Sequence, residues 1–301
     1  SSLSAALAWQ LAEKGNRVLA TSFDPAHNLG DIFGQKLSHK KQRYQNTTLF
    51  LQETHLEESA QEYLKTNTGL LEEVYSYTRT LNMEKYFKIL RYSPGVEEYA
   101  ALTAMEQLFR EEHANFDYLV IDTPPTGLTL RILALPRVTI TWIDRLIRIR
   151  KEILDKRHTI HNIMGKYDEK GTRLAYTEED DAVMRKLREM RGRYDHVRAC
   201  LESQDNSIAV VCNPDYLSLR ESQRLVGGIN DLGLPLRTLF TNKVTEENED
   251  TAGKVEGELL GSRSDVTLQR VPMIQNTQPA CYIMDTDLIQ PLGLAATERY
   301  R

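Results

Sequence analysis

The stretch "RVLATSFDPAHNLGDIF", residues 17–33, decides the fold. Its first part reads as a buried strand from Val18 to Phe23, apolar on both faces. That strand runs straight into Asp24, Pro25, His27 and Asn28. A strand tip loaded with polar groups is either a tight surface turn or the lip of a ligand site. Just ahead lies "LSAALAWQLAEKG", which places Leu3, Leu7 and Leu11 on one helical face with Ala8 and Ala12 beside them. Gly15 follows as a C-cap.

Working outward, "TTLFLQE" (Thr47 to Glu53) reads as a second strand. A helical stretch of mixed polarity follows from Leu56 to Tyr92, then an amphipathic helix in "GVEEYAALTAMEQLFREEH". "FDYLVIDTPPTG" is a continuous apolar strand, Tyr118 to Ile121, that ends in Asp122 and a proline-rich loop. Later strands are expected at Ser207–Pro214, Leu236–Val244 and Asp265–Met273, with the helix "SLRESQRLVGGINDLG" between the first two. Continuous apolar strands alternating with helices predict an α/β fold with a mostly parallel sheet flanked by helices.

Residues 136–203 carry no strand signal. Ile143, Leu146, Ile147, Ile153 and Leu154 form a stripe among many Arg and Lys. Val183, Leu187, Met190, Tyr194, Val197 and Leu201 recur every three or four residues, close to a heptad seam. Two helices joined by the polar loop "GKYDEKGTRLAYTEED" are expected to form a helical subdomain inserted into the sheet domain. The sheet domain then comprises residues 1–135 and 204–301.

The net charge of -5, with basic and acidic residues interspersed, gives no reason to expect nucleic acid binding. No apolar run approaches the ~20 residues of a membrane span, so no transmembrane segment is expected. The three cysteines, Cys200, Cys212 and Cys281, are an odd count without a CxxC pair. They fit a reducing cytoplasm and argue against a disulfide framework or a zinc site.

Two strands thus end in an aspartate at the head of a proline-containing loop: Asp24 in "DPAH" and Asp122 in "DTPPTG". A carboxylate held rigidly at a strand tip is what a magnesium–nucleotide site needs, taking the ion directly or through water. An Asp-Pro pair at a strand end is also a common turn, so either aspartate alone leaves both readings open. The two together, with a small-residue helix beginning "SSLSAALA", favour the nucleotide site. His27 has no second His or Cys at ligand spacing and reads as a surface or interface residue.

On these residues the chain resembles the deviant-Walker P-loop ATPases. The resemblance is to the arsenical pump-driving and tail-anchored-protein-targeting family, carried by "SSLSAALAWQLAEKGNRVLATSFDPAHNLGDIFG" and "DYLVIDTPPTGLTLRILALP". "CNPDYLSLRESQRL" and "FTNKV" extend it over almost the whole chain. The resemblance implies a P-loop NTPase-type fold, ATP and Mg²⁺ as ligands, and a homodimer. It aligns Ser1 with the hydroxyl residue that ends the family's Gly-rich phosphate loop, so a strand and loop are expected ahead of Ser1. Ser1 would hold Mg²⁺ and, with Ser2, the nucleotide; Asp122 would hold Mg²⁺ through water. Asp24 would position the attacking water. The loops Pro25–Asp31 and Thr123–Thr129 would be the two nucleotide switches. Asn242 and Lys243 would contact adenine, with Pro272 bordering the base, although Asn242 could equally cap its strand.

The chain departs from the family pattern at Pro124, where alanine is usual, and at Leu128, where histidine is usual. The paired cysteines that bridge zinc in eukaryotic targeting members are absent, and the three cysteines do not match a metalloid site. The function implied is a cytoplasmic, Mg-dependent ATPase that couples nucleotide state to a hydrophobic helical client or a membrane pump subunit. Two alternatives stand beside it. One is a degenerate module that binds nucleotide without hydrolysis. The other is a partition or division-site ATPase, for which the C-terminal "LGLAATERYR" is too short and too polar an anchor.

Overall fold

The computed structural model describes residues 1–24, 28–54, 59, 95–164, 175–261, 263–273 and 286–293. Apart from Ser59, the expected helical stretch from Leu56 to Tyr92 lies outside the described residues, as do His27 and Cys281.

Helix α1 (Ser2–Glu13) leads into strand β1 (Val18–Ser22), whose five residues are all buried. A short helix α2 (Asn28–Phe33), an edge strand β2 (Gln42–Arg43) and β3 (Leu49–Glu53) follow. Then come α3 (Val96–Glu112), β4 (Tyr118–Asp122) and the long helices α4 (Thr126–Met164) and α5 (Ala182–Glu202). The chain continues through β5 (Ile208–Cys212), α6 (Tyr216–Asp231), β6 (Leu236–Val244), α7 (Glu249–Leu260) and β7 (Thr267–Pro272).

The strands form two sheets, ordered β2-β3-β1-β4 and β5-β6-β7. All pairings are parallel except the short edge pair β2–β3. The α/β class and the mostly parallel sheet flanked by helices are therefore as the sequence predicts. The division into two sheets is a feature that apolar patterning does not encode.

Alternation along β1 divides the core into two layers. Val18 and Ala20 face α1, meeting Ala5, Ala8 and Leu11, while Leu19 faces the opposite layer with Phe109, Ile132 and Val210. Helix α1 also reaches the second sheet, because Leu3 and Ala6 pack with Phe240 of β6 and Val271 of β7. The small residues of "SSLSAALA" let this helix lie close over both sheets. Close approach also governs the other face. A Cβ on Gly228 of α6 would lie 2.6 Å from Leu130 Cδ2 of α4, so any larger residue there would have to displace the Leu130 side chain.

Helix α4 runs unbroken for 39 residues, about 58 Å at 1.5 Å per residue. Pro136 sits inside it, so residue 136 marks no break in secondary structure. A proline costs one backbone hydrogen bond, and the packing on both sides carries the helix through. Its distal half pairs antiparallel with α5 through Ile143, Leu154, Met184 and Val197, all buried. Ion pairs staple the flanks: Arg137–Glu202, Asp144–Arg191 and Arg150–Asp181.

Candidate functional site

Parallel pairing of β1 with β4 puts Ser22 directly beside Asp122 at the carboxyl ends of both strands. The main chain locks this junction, with the Phe23 amide donating to the Asp122 carbonyl at 2.9 Å and the Thr54 amide to the Ser22 carbonyl at 2.9 Å. The N-terminus of α1 comes to the same point. The Ser1 hydroxyl donates to Asp122 Oδ2 at 2.6 Å, and Ser4, one turn on, donates to Oδ1 at 3.1 Å. Ser22 adds a third hydroxyl, 3.3 Å from Oδ2. One buried carboxylate thus gathers three serines, two from the start of α1 and one from the end of β1.

Ser1 is the N-cap of α1, yet its hydroxyl makes no cap hydrogen bond. It is diverted to Asp122, which leaves the amides at the start of a 12-residue helix without a side-chain cap. Uncapped amides at a helix N-terminus suit an anion such as phosphate.

Asp24 lies half-buried two residues beyond Ser22, and its amide donates to Ser22 Oγ at 3.2 Å. The loop expected as the first switch, Pro25 to Asp31, is described only from Asn28 onward. Its far end is anchored where the Gly30 amide donates to Glu53 Oε1 at 2.8 Å, Glu53 being buried at the tip of β3. The loop expected as the second switch, Thr123 to Thr129, turns directly into α4. There Thr129 Oγ1 donates to the Pro124 carbonyl at 2.5 Å, closing the loop behind Asp122. Leu128, at the position of the family's histidine, packs against the main core.

The structure therefore brings Ser1, Asp122 and, through Ser22, Asp24 together. Ser2 is the first residue of α1 and is exposed. Asn242, Lys243 and Pro272 stand at the carboxyl ends of β6 and β7, strands whose Phe240 and Val271 pack with Leu3 and Ala6 of α1. Among the described residues no hydrogen bond joins them to the serine–aspartate group.

Lys243 adopts φ 59°, left-handed backbone that is rare for a side-chain-bearing residue. Asn248 Nδ2 donates to the Lys243 carbonyl at 3.0 Å, while Asn248 Oδ1 accepts from the Thr245 amide at 2.8 Å. This side chain clamps the turn after β6. Such locally strained turns gather at ligand sites.

Sequence reasoning did not pick out Ser4, Ser22 or Glu53. Ser4 could have been found from its i+3 spacing to Ser1, which puts both on one helix face. Ser22 carried a weaker sign, a hydroxyl closing an otherwise apolar strand. Glu53 gave none, since its role depends on a loop more than twenty residues away.

The residues present fit magnesium. The donors at the site are oxygens only, a hydroxyl and a carboxylate 2.6 Å apart. Among the described residues no group of three or more His, Cys, Asp or Glu could hold a metal ion. A site offering one or two protein oxygens suits a hard cation that keeps its waters and takes phosphate oxygens as further ligands.

Comparison with known proteins places this geometry in context. The family model for anion-transporting ATPases matches residues 1–290. A protein of Aquifex aeolicus named as an arsenical pump-driving ATPase is 27% identical over 288 residues, covering 95% of this chain and 86% of that protein. ATPase GET3 of Phaeosphaeria nodorum is 28% identical, over 82% of this chain and 73% of its own length. ATPase GET3C of Arabidopsis thaliana is 26% identical, over 92% and 73%.

Proposed function

From the premise that the chain belongs to the anion-transporting ATPase family, we propose a Mg-dependent ATPase whose nucleotide state governs partner binding on helices α4 and α5. The observation that carries the reading is the convergence of Ser1, Ser4 and Ser22 on buried Asp122, with Asp24 tied to Ser22. Ser1 and Asp122 would hold Mg²⁺, the N-terminus of α1 would take phosphate oxygens, and Asn242, Lys243 and Pro272 would border the base. Bound Mg²⁺ would neutralise charge on the phosphates. Asp24 orients the attacking water and accepts a hydrogen bond from it. Positioning and electrostatics suffice here, because phosphoryl transfer through a loose transition state needs little true base catalysis.

The partner surface follows from α4. Trp142, Leu146, Ile149, Ile153, Ile160 and Ile163 are exposed, at steps of four, three, four, seven and three residues. Trp142 is 64% exposed and Ile163 78%, so this is a stripe on the face turned away from α5. Ile140 and Ile143 from the same dense segment are buried against the body. Arg145 and Arg148 rim the stripe. Arg150 does not, since it is turned toward α5 and bonded to Asp181. A long apolar stripe with a basic rim suits a hydrophobic or amphipathic helix as partner. Residues 136–203 are then the partner-facing part and the sheets the nucleotide-binding part. No helix among the described residues is long and apolar enough to cross a membrane. The reading includes a homodimer working in the cytoplasm.

Asp24→Asn tests the chemistry. Nucleotide binding should survive, with turnover down by about 100-fold or more. Undiminished turnover would remove Asp24 from the mechanism. A second reading, a binding module without hydrolysis, is favoured by Leu128, which gives the second switch an apolar side chain packed on the core. Tight Mg·ATP binding with no turnover in the unaltered full-length protein would select it.

A further inference from the structure

We propose that Ser22 is a positioning residue that ties the two aspartate loops together, so that the state of Asp122 is transmitted to Asp24. The inference rests on the ATPase reading above. The Ser22 side chain is wholly buried, at 0% exposure. A hydroxyl has one proton to give and lone pairs to receive. Here the proton goes to Asp122 Oδ2, 3.3 Å away, and a lone pair accepts the Asp24 amide at 3.2 Å. Ser22 thus bonds both to the Asp122 carboxylate and to the loop that carries Asp24.

The backbone around it is fixed on both sides. Phe23 is bonded to β4 and Thr54 to the Ser22 carbonyl, each at 2.9 Å, so β1 itself cannot carry the change. The rotatable part of the junction is the Ser22 hydroxyl. It shares Oδ2 with Ser1, whose hydroxyl is the closer donor at 2.6 Å. A ligand taken up by Ser1 or Asp122 changes the share of Oδ2 left to Ser22, even where Ser1 binds it through its oxygen and still donates its proton. The Ser22 bond to Asp122 is reset accordingly, and the Asp24 amide follows the oxygen it donates to, so that Asp24 is aimed through this one hydroxyl.

The test compares full-length wild type, Ser22→Ala and Ser22→Thr, with Mg·ADP binding by calorimetry, steady-state ATP turnover, and hydrogen exchange of the segment 23–31. Ser22→Ala should bind Mg·ADP within about threefold of wild type and keep its KM for ATP. Its kcat should fall at least about tenfold, the scale of effect a small misplacement of a catalytic group produces. Without nucleotide, its 23–31 segment should exchange faster than wild type, because the Asp24 amide has lost its acceptor. The protection that Mg·ADP brings to that segment in wild type should be absent. Ser22→Thr keeps the hydroxyl and should recover both kcat and protection. A merely structural role would move Tm but would leave the exchange response to Mg·ADP in place. The proposal is overturned if Ser22→Ala keeps wild-type kcat and loop protection. It is also overturned if the loss appears wholly as weaker Mg·ADP binding, since Ser22 would then serve the metal end alone. Failure of wild type itself to bind Mg·ADP would sink the ATPase reading, and this inference with it.

Discussion

Arg150→Met should loosen the α4–α5 pair more than any other single change on its polar flanks. Asp181 is 2% exposed, at the N-cap of α5, and takes both arms of Arg150: Nε at 3.0 Å and Nη2 at 2.6 Å. Its Oδ1 also accepts the Met184 amide at 2.7 Å. Methionine keeps most of the apolar stem of arginine, so the change removes charge and hydrogen bonds rather than volume. Removing one partner of a buried ion pair costs about 3–5 kcal/mol, because the other charge stays buried. The cap bond to Met184 survives, and Arg150 is 19% exposed, so the low end, about 3 kcal/mol, is expected. Asp181→Asn keeps an acceptor for the cap and should cost less, about 1–2 kcal/mol. In the double variant the two costs should fall well short of adding, since they break one interaction.

The pH dependence supplies the sharper check. Burial pushes the Asp181 carboxyl upward, but hydrogen bonds from Arg150 and the Met184 amide, with the Arg150 and Arg157 charges, outweigh it and hold the group below its ordinary value. An acid with a depressed folded pKa stabilises the protein fully above its unfolded pKa of about 3.9, and that stability is lost as pH falls through the folded value. In Arg150→Met burial faces only the cap bond and the more distant Arg157, so the folded pKa rises. The variant therefore gains stability relative to wild type as the orphaned carboxyl takes up its proton. The difference between the two proteins should shrink from pH 7 toward pH 4. Urea unfolding followed by circular dichroism measures it. Hydrogen exchange of residues 143–160 and 181–200 separates local opening of the helix pair from global unfolding. A difference below about 0.5 kcal/mol at pH 7, the scatter of ordinary surface changes, would refute the reasoning. A difference that does not change with pH would do the same.

Two further outcomes are expected. Gly30→Ala would place a Cβ 2.7 Å from the Gln35 carbonyl oxygen and 3.3 Å from Glu53 Oε1. Because the first clash is with backbone, the cost should be about 1–3 kcal/mol, read as a lowered Tm together with reduced turnover; an unchanged Tm would mean that the loop is not packed as described. Paired Trp142→Glu and Ile149→Glu substitutions lie on the exposed stripe of α4 and should shift stability by no more than about 0.5 kcal/mol. They should abolish binding of a fluorescent, leucine-rich helical peptide, and retained binding would remove this stripe from partner recognition.

The parts of the fold visible in the sequence are those with a local cause. β1, β4 and β5 are mostly apolar runs and β6 carries an apolar centre, and the sequence places each within about two residues of its observed ends because buried parallel strands need such runs. Asp24 and Asp122 were visible because they interrupt apolar runs at strand tips. The dense "RVTITWIDRLIRIRKEI" segment shows where local reading stops. Ile143 and Trp142 look alike in a periodicity count, yet one is buried and the other faces outward. Only the position of α5 tells them apart. Arg150 likewise stands in the same basic run as Arg145 and Arg148, and only its pairing with Asp181, thirty-one residues on, sets it apart. The gathering of Ser1, Ser4 and Ser22 on Asp122 depends on three segments meeting across a hundred residues, which no spacing within one segment can announce.

Pro136 carries a different lesson. Read locally, proline ends a helix, and the sequence boundary between sheet domain and inserted helices falls there. In the structure α4 passes through it, starting four residues after Asp122 and continuing to Met164. The loop that closes behind Asp122 and the exposed stripe from Trp142 to Ile163 thus belong to one continuous rod. A helix is stiff along its axis, so a shift of the Thr123–Pro125 loop moves the base of that rod directly. Near its base the rod is constrained, with Leu130 pressed against Gly228 of α6 and Ile132 and Leu133 buried in the core. Pro136 lies just beyond those contacts, where one hydrogen bond is already missing and bending costs least. Above it the rod is stapled to α5 by three ion pairs, and α5 is itself held to the body, since Val197 and Leu201 are buried in the same core as Ile132 and Leu133. Any change of direction of the helix pair would therefore have to repack that core, and Pro136 lowers only the backbone part of the cost.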